Sequence, residues 1–259
     1  MRQSLAAKLL DESLQRDQYN SSIPAIGLAN TYQGGLNNPR HTVNARAPQR
    51  MNQAPALSEV PSEFFYEHNF DENGVLYYLG SAGRRRMWQN PHSVGQVQAF
   101  ASSIGHGCQV ENFVGRDVKN CRTEDEPYSF FGVDLGMERR LVPTHYTIRN
   151  RKSNTHVLRN WYLEGSATGQ SWTILDARIY NSNSNEQNEA LESEFRELQK
   201  PGGCMTFQID TEIYRKLGLD GYRFFRIVQV GKNTHNTDHL SLSGFELYGR
   251  ILGSPWQFA

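Results

Sequence analysis

The sequence predicts an all-β fold, a sandwich or jelly roll of short antiparallel strands. Three observations point there. The stretch Leu158-Arg159-Asn160-Trp161-Tyr162-Leu163 is apolar and β-rich. Turn residues Gly165 to Gln170 follow it, and then Ser171-Trp172-Thr173-Ile174-Leu175. This reads as a hairpin arm with two tryptophans, large enough to anchor a core. Tyr222-Arg223-Phe224-Phe225-Arg226-Ile227-Val228-Gln229-Val230 is the strongest strand signal in the chain. Seven or more such runs, separated by turn signals, are the pattern of a two-sheet β fold.

The remaining elements follow in chain order. Ser4 to Gln18 predicts a short helix capped by Ser4, with Leu5, Leu9, Leu10 and Leu14 as a narrow apolar stripe. Tyr19 to Ser62 carries half of the ten prolines (Pro24, Pro39, Pro48, Pro55, Pro61), much Asn, Gln and Gly, and only two aromatics, Tyr19 and Tyr32. Such a composition cannot build a core, so it predicts a linker or an extended or disordered arm, which would be ordered only by contact with something else. Folded sequence begins at Glu63. Asp71-Glu72-Asn73-Gly74 predicts a tight hairpin turn, with Val75 to Leu79 as the strand after it. Val97 to Ser102, Phe130 to Gly136 and Leu141 to Asn150 are further strands, with a long polar loop from Gly105 to Glu126. Asn181 to Gly203 reads as a polar insertion in which Leu191, Phe195 and Leu198 mark a weak helix over Glu189 to Lys200. Met205 to Ile209 and Leu240 to Tyr248 complete the strands. The expected domains are a helix at 1–18, an arm at 19–62, a β-sandwich at 63–250 with the insertion at 181–203, and a tail at 251–259.

Composition excludes several classes. The net charge of +0 argues against a general nucleic-acid binder, because phosphate binding rests on excess Lys and Arg. Charge is uneven, however: basic residues dominate between Ser81 and Arg159, and acidic ones between Asn181 and Asp220. Cys108, Cys121 and Cys204 lack CxxC spacing and suggest reduced thiols rather than a disulfide scaffold or zinc module. Met1 to Leu10 has no signal-peptide pattern, and no apolar run reaches membrane-spanning length. No nucleophile elbow, phosphate-cradling glycine loop or paired acid/base carboxylate stands out, so a non-enzyme is expected. Cys108 lies two residues from His106, which is a coincidence of sequence until a base stands beside the thiol. His235 and His239 lie in a loop-like segment and do not share a helix face as a zinc-protease motif requires.

An ordered set of motifs resembles the discoidin, or coagulation factor V/VIII C-type, domain of the galactose-binding-like jelly-roll superfamily. The motifs are Ala101-Ser102-Ser103, Phe131-Gly132-Val133-Asp134-Leu135-Gly136, Leu158-Arg159-Asn160-Trp161 with Gly169-Gln170-Ser171-Trp172, Phe224-Phe225-Arg226-Ile227, and Leu242-Ser243-Gly244-Phe245-Glu246-Leu247-Tyr248-Gly249. The last is most similar to the intracellular branch found in BTB-type adaptors and HECT-type ubiquitin ligases, with the Doc domain as a distant relative. The secreted branch ties its ends with a disulfide, and no cysteine lies near Phe64 or Arg250. The resemblance therefore implies a cytoplasmic, non-catalytic protein-binding module, an adaptor or a structural subunit of a larger assembly. The alternatives are a ubiquitin-ligase substrate-recognition accessory and a carbohydrate-binding, lectin-like domain. No BTB, HECT or RING segment is visible, so any ligase chemistry is expected on another chain.

In domains of this kind the loops at one end of the sandwich carry the ligand. That implies a surface made of Arg84, Arg85, Arg86, Trp88, Arg116, Arg149, Arg151, His156 and Arg159. Arginine forks suit an acidic or phosphorylated peptide, and Trp88 offers a stacking face. The resemblance also implies a possible structural calcium held by Asp117 and Glu246, although Glu246 would serve equally as the partner of an arginine. No other cofactor is expected.

Overall fold

The computed structural model describes residues 62–179, 195–211 and 221–252. The expected helix at 1–18, nearly all of the arm at 19–62, most of the insertion and residues 253–259 of the tail lie outside them. The described elements are β1 (Glu63–Phe64), α1 (Val75–Gly80), β2 (Gln98–Ala101), a 3-10 turn (Val110–Val114), β3 (Phe130–Asp134), β4 (Arg140–Asn150), β5 (Trp161–Ser166), β6 (Thr173–Arg178), β7 (Cys204–Gln208), β8 (Phe224–Gln229) and β9 (Leu242–Leu252).

The strands form two antiparallel sheets, in the orders β1-β9-β4-β7 and β2-β3-β8-β5-β6. Alternation along each strand explains the layering. Phe225 and Ile227 of β8, Phe131 and Val133 of β3, and Trp161 and Leu163 of β5 are fully buried. They meet Tyr146 and Ile148 of β4 and Phe245 and Leu247 of β9, which are equally buried. The predicted hairpin is present: Trp161 pairs with Arg178 and Gly165 with Thr173. Only one of its two tryptophans anchors the core, however. Trp161 donates from Nε1 to the Tyr146 hydroxyl at 2.9 Å, and that hydroxyl donates to Asp176 at 2.7 Å. Burial, with Asp176 beside it, holds the Tyr146 hydroxyl well above its ordinary value. Trp172 is half-buried instead, with the Arg226 guanidinium 4.0 Å from its ring.

Two sequence readings are corrected. Val75 to Leu79 is a helix, not a strand, and Asn73-Gly74 leads into it rather than turning a hairpin. The buried residues are Val75, Leu76, Tyr78 and Leu79, a helical spacing that five residues are too few to announce. The second concerns the predicted loop from Gly105 to Glu126. It contains the 3-10 turn, and Phe113 on that turn is wholly buried, stacked 5.4 Å from Phe131 and 4.8 Å from Phe245. Around the predicted insertion helix, the described part, Phe195 to Lys200, forms hydrogen-bonded turns, with Phe195 and Leu198 packed into the core.

Phe113 is therefore a wedge that joins a loop to both sheets. Phe113→Ala is expected to cost about 3–5 kcal/mol. Chemical denaturation of the full chain measures it. A loss below about 1 kcal/mol would show that the turn does not pack as described.

Candidate binding surface

The inward side of the loop end is organised by two buried groups, Glu246 and Arg149. Glu246 lies on β9 and is 1% exposed. Its Oε1 accepts the N–H of Leu76 at 2.7 Å and of Leu247 at 3.0 Å, and its Oε2 accepts the N–H of Tyr77 at 3.0 Å. Two of these donors belong to the first turn of α1, where no side chain of the helix itself provides a cap. A Cβ on Gly74 would lie 2.2 Å from the Glu246 carboxyl carbon, so only glycine lets the helix start this close. Burial pushes the Glu246 carboxyl up to about 7, while the three amides and Arg116 pull it down. Arg116 closes the arrangement. It donates to the carbonyls of Phe70 (2.6 Å) and Asp71 (3.1 Å) and lies 3.8 Å from Glu246 Oε2.

Arg149 is buried on β4, and among the described residues no carboxylate oxygen is hydrogen-bonded to it. Its guanidinium donates to the carbonyls of Gly115 (3.0 Å), Arg116 (2.7 Å), Asp117 (2.9 Å) and Ser243 (2.5 Å), and lies 4.3 Å from the Phe70 ring centroid. Burial lowers it to about 10. This side chain fixes the 115–117 loop against β9.

The nine residues implied as a ligand surface thus fall into distinct settings. Arg84, Arg85 and Arg86 are exposed beside α1, where Arg84 donates to the Glu72 carbonyl and Asn73 Oδ1. Trp88 is half-buried, and its indole Nε1 packs against Gly80 at the end of α1. Arg116 and Arg149 point inward as described. Arg151 and His156 are joined to each other, with Arg151 Nη2 3.0 Å from His156 Nδ1, and Arg159 is exposed two residues before β5. The structure therefore assigns Arg149 to the interior, and a single arginine patch does not describe the loop end.

What the sequence reading missed is the company of His156. His235, 79 residues away, accepts the His156 N–H on Nδ1 at 3.0 Å and stacks on its ring with centroids 4.8 Å apart. His239 meets the same ring edge-on at 5.5 Å. Pairing across that distance leaves no local signal in sequence. The loops at 151–160 and 230–241 are also tied by Thr234 N–H to the Val157 carbonyl and by Val157 N–H to Thr234 Oγ1.

Two other readings are tested by the same geometry. Asp117 lends only its backbone carbonyl to the interior, since its carboxylate is 84% exposed and pairs with Lys119 at 3.7 Å. Glu246 is engaged by N–H donors and by Arg116. Calcium needs six or more oxygen ligands, and among the described residues no three His, Cys, Asp or Glu side chains gather to hold a metal. Asp117 and Glu246 do not fit a calcium ion, and the guanidinium of Arg116 occupies the neighbourhood of the carboxylate. Cys108 touches the backbone carbonyl of His106 at 3.9 Å and accepts the Arg122 N–H, and among the described residues no imidazole is hydrogen-bonded to its thiol. Burial pushes Cys121 up to about 12, which leaves it an unreactive thiol.

Two facing antiparallel sheets with these loops at one end make a β-sandwich, the architecture implied by the resemblance of the ordered motifs to discoidin-type domains. Its similarity to other chains falls on the branch the motifs indicated. The E3 ubiquitin-protein ligase Ufd4 of Drosophila melanogaster is 34% identical over 197 residues, 73% of this chain and 6% of the ligase. The E3 ubiquitin-protein ligase hecd-1 of Caenorhabditis elegans is 34% identical over 196 residues, 73% of this chain and 7% of the ligase. A BTB/POZ domain-containing protein of Arabidopsis thaliana is 26% identical over 196 residues, 72% of this chain and 22% of that protein. The chain thus spans a small part of each of these relatives. Among solved structures, CBM32-3 from a family 31 glycoside hydrolase of Clostridium perfringens aligns over 60% of this chain and 92% of its own, with a TM-score of 0.45 and 13% identity. No family model matches the sequence.

Glu246→Gln is expected to destabilise the chain by roughly 3 kcal/mol, because an amide NH2 then faces backbone N–H donors. Arg149→Met should cost at least as much, by orphaning four carbonyls. Thermal or urea unfolding measures both. Calcium-supplemented and chelator-treated samples should melt together, and a calcium-dependent rise in Tm would restore the metal reading.

Proposed function

We propose that this chain is a non-catalytic protein-binding module that works inside a larger intracellular assembly, as an adaptor or structural subunit, with the loop end as its recognition surface. The observation that carries the reading is the convergence of Arg151, His156, His235 and His239 from two loops at one end of the sandwich. Exposed Lys152 and Arg159 flank them. Polar and cationic side chains displayed on loops over a rigid scaffold are suited to partner recognition. The same kind of segment recurs as a small fraction of two E3 ubiquitin-protein ligases, which supports a role as an accessory to a catalytic part located elsewhere. Among the described residues no helix is long and apolar enough to cross a membrane. The proline-rich stretch at 19–62 is proposed as a second point of attachment.

Lys152→Glu combined with Arg159→Glu should leave the melting temperature of the full chain within about 2 °C, since exposed charges contribute little to stability. The same variant should lose partners captured by the wild-type chain, as read by affinity capture and mass spectrometry. Unchanged capture would remove the loop end as the recognition surface.

A further inference from the structure

The three histidines at the loop end make a site whose hydrogen bonding can be worked out ring by ring. Arg151 Nη2 is a donor only, so His156 Nδ1 accepts from it, and the neutral ring of His156 carries its hydrogen on Nε2. His235 Nδ1 accepts the backbone N–H of His156, so its hydrogen is also on Nε2. His239 Nδ1 lies 2.9 Å from the Thr123 carbonyl, an acceptor only, so it must donate. The backbone holds the cluster in place. His156 has φ 58, a left-handed conformation that histidine and asparagine adopt more readily than most residues. Arg151 donates from Nε to the Thr155 carbonyl at 3.2 Å and from Nη2 to Thr155 Oγ1, which fixes its guanidinium beside His156.

The charges that act on His156 are all cationic. Burial holds His156 below its ordinary value, and Arg151, His235, His239 and Arg122 act in the same direction. Arg122 also acts on Arg151, with Cys108 opposing it. The nearby carboxylates are occupied: Asp238 is bound by Lys232, and Asp125 Oδ1 accepts the Asp238 N–H. Among the described residues no carboxylate oxygen is hydrogen-bonded to the side chains of Arg122, Arg151, His156, His235 or His239. Metal binding is not the reason for the gathering, since no metal-holding group of three is formed among the described residues.

We propose that this cluster is an oxyanion-binding subsite, which takes a carboxylate or phosphate group of a partner polypeptide and holds it more tightly as the solution becomes acidic. The inference rests on the reading of the loop end as a recognition surface, and it adds the chemistry recognised and its control. Cationic donors close together cost free energy until an anion joins them, and charge-assisted hydrogen bonds to an oxyanion are the strong kind. Linkage gives the sign of the pH effect. In the free chain His156 sits below the ordinary histidine value, so unfolded chains bind more protons as pH falls past about 6.5, and acid destabilises the fold through this group. A bound anion favours the imidazolium form and reverses that trend, so anion affinity and imidazole protonation rise together.

The test uses the full chain and the imidazole NMR resonances of His156, His235 and His239. Sodium sulfate, sodium acetate and sodium chloride are titrated at matched ionic strength, near pH 5.5 and near pH 7.5. Sulfate keeps its charge across that range, so any pH effect belongs to the protein. The expected result is a saturating shift of all three histidines whose apparent Kd falls by about tenfold or more at the lower pH. Saturation by sulfate assigns a phosphate-type ligand, and saturation by acetate instead assigns a carboxylate. The combined variant His235→Asn and His239→Gln should abolish the response. Shifts equal to those in chloride, or saturation with no pH dependence, overturn the proposal. The titration is read without any partner, so its failure leaves partner capture by Lys152 and Arg159 to stand or fall by itself.

Discussion

The structure depends on one buried carboxylate. Glu246 reaches from β9 to the N-terminus of α1 and also accepts the N–H of its neighbour Leu247. Without it, a six-residue helix would begin with uncapped amides against the core, and such a helix is too short to form by itself. Through Arg116, the same carboxylate fixes the Phe70–Asp71 turn, and Phe70 in turn lies under Arg149. Arg149 then holds the 115–117 loop. The 115–117 loop and the Phe70–Asp71 turn are therefore ordered by a chain of contacts that begins at a single acid.

The division of labour between the two buried charges is worth stating physically. A buried ion usually survives by pairing with an opposite charge. Arg149 is instead held by four carbonyl dipoles, converging from two segments of chain, and by the face of the Phe70 ring. Glu246 is held mostly by amide dipoles. Arg149 therefore acts as a template for the irregular 115–117 backbone, and Glu246 for the first turn of a helix too short to form alone. Irregular loops can then be as well defined as strands, which a binding surface requires.

Much of the sandwich was legible in the sequence because strands advertise themselves. The alternation in Phe224 to Gln229, the turn at Gly165 to Gln170 and the run from Phe130 to Asp134 are local patterns, and each produced the element it implied. Two kinds of information were not local. Val75 to Leu79 read as a strand because its apolar residues are dense, and the group that makes it a helix lies 170 residues further on. Phe113 looked like one aromatic in a polar loop, though it fills the space between the sheets. In the candidate site, Arg151 and His156 were legible as loop residues of the right chemistry. His235 and His239 were visible as a pair but not as companions of His156, because loop-to-loop pairing leaves no periodicity. Arg149 was misjudged for the opposite reason: an arginine at the end of a strand gives no sign of whether it faces water or a ring of carbonyls.

The pairing of β1 with β9 has an architectural consequence. Glu63 lies opposite Arg250, so the chain enters and leaves the sandwich at neighbouring points on one sheet. A domain whose entry and exit touch can be spliced between two segments of a host protein as a closed side-branch, leaving the host's own path almost undisturbed. The same closure makes it portable, as suits a fold whose relatives include stretches of far longer polypeptides.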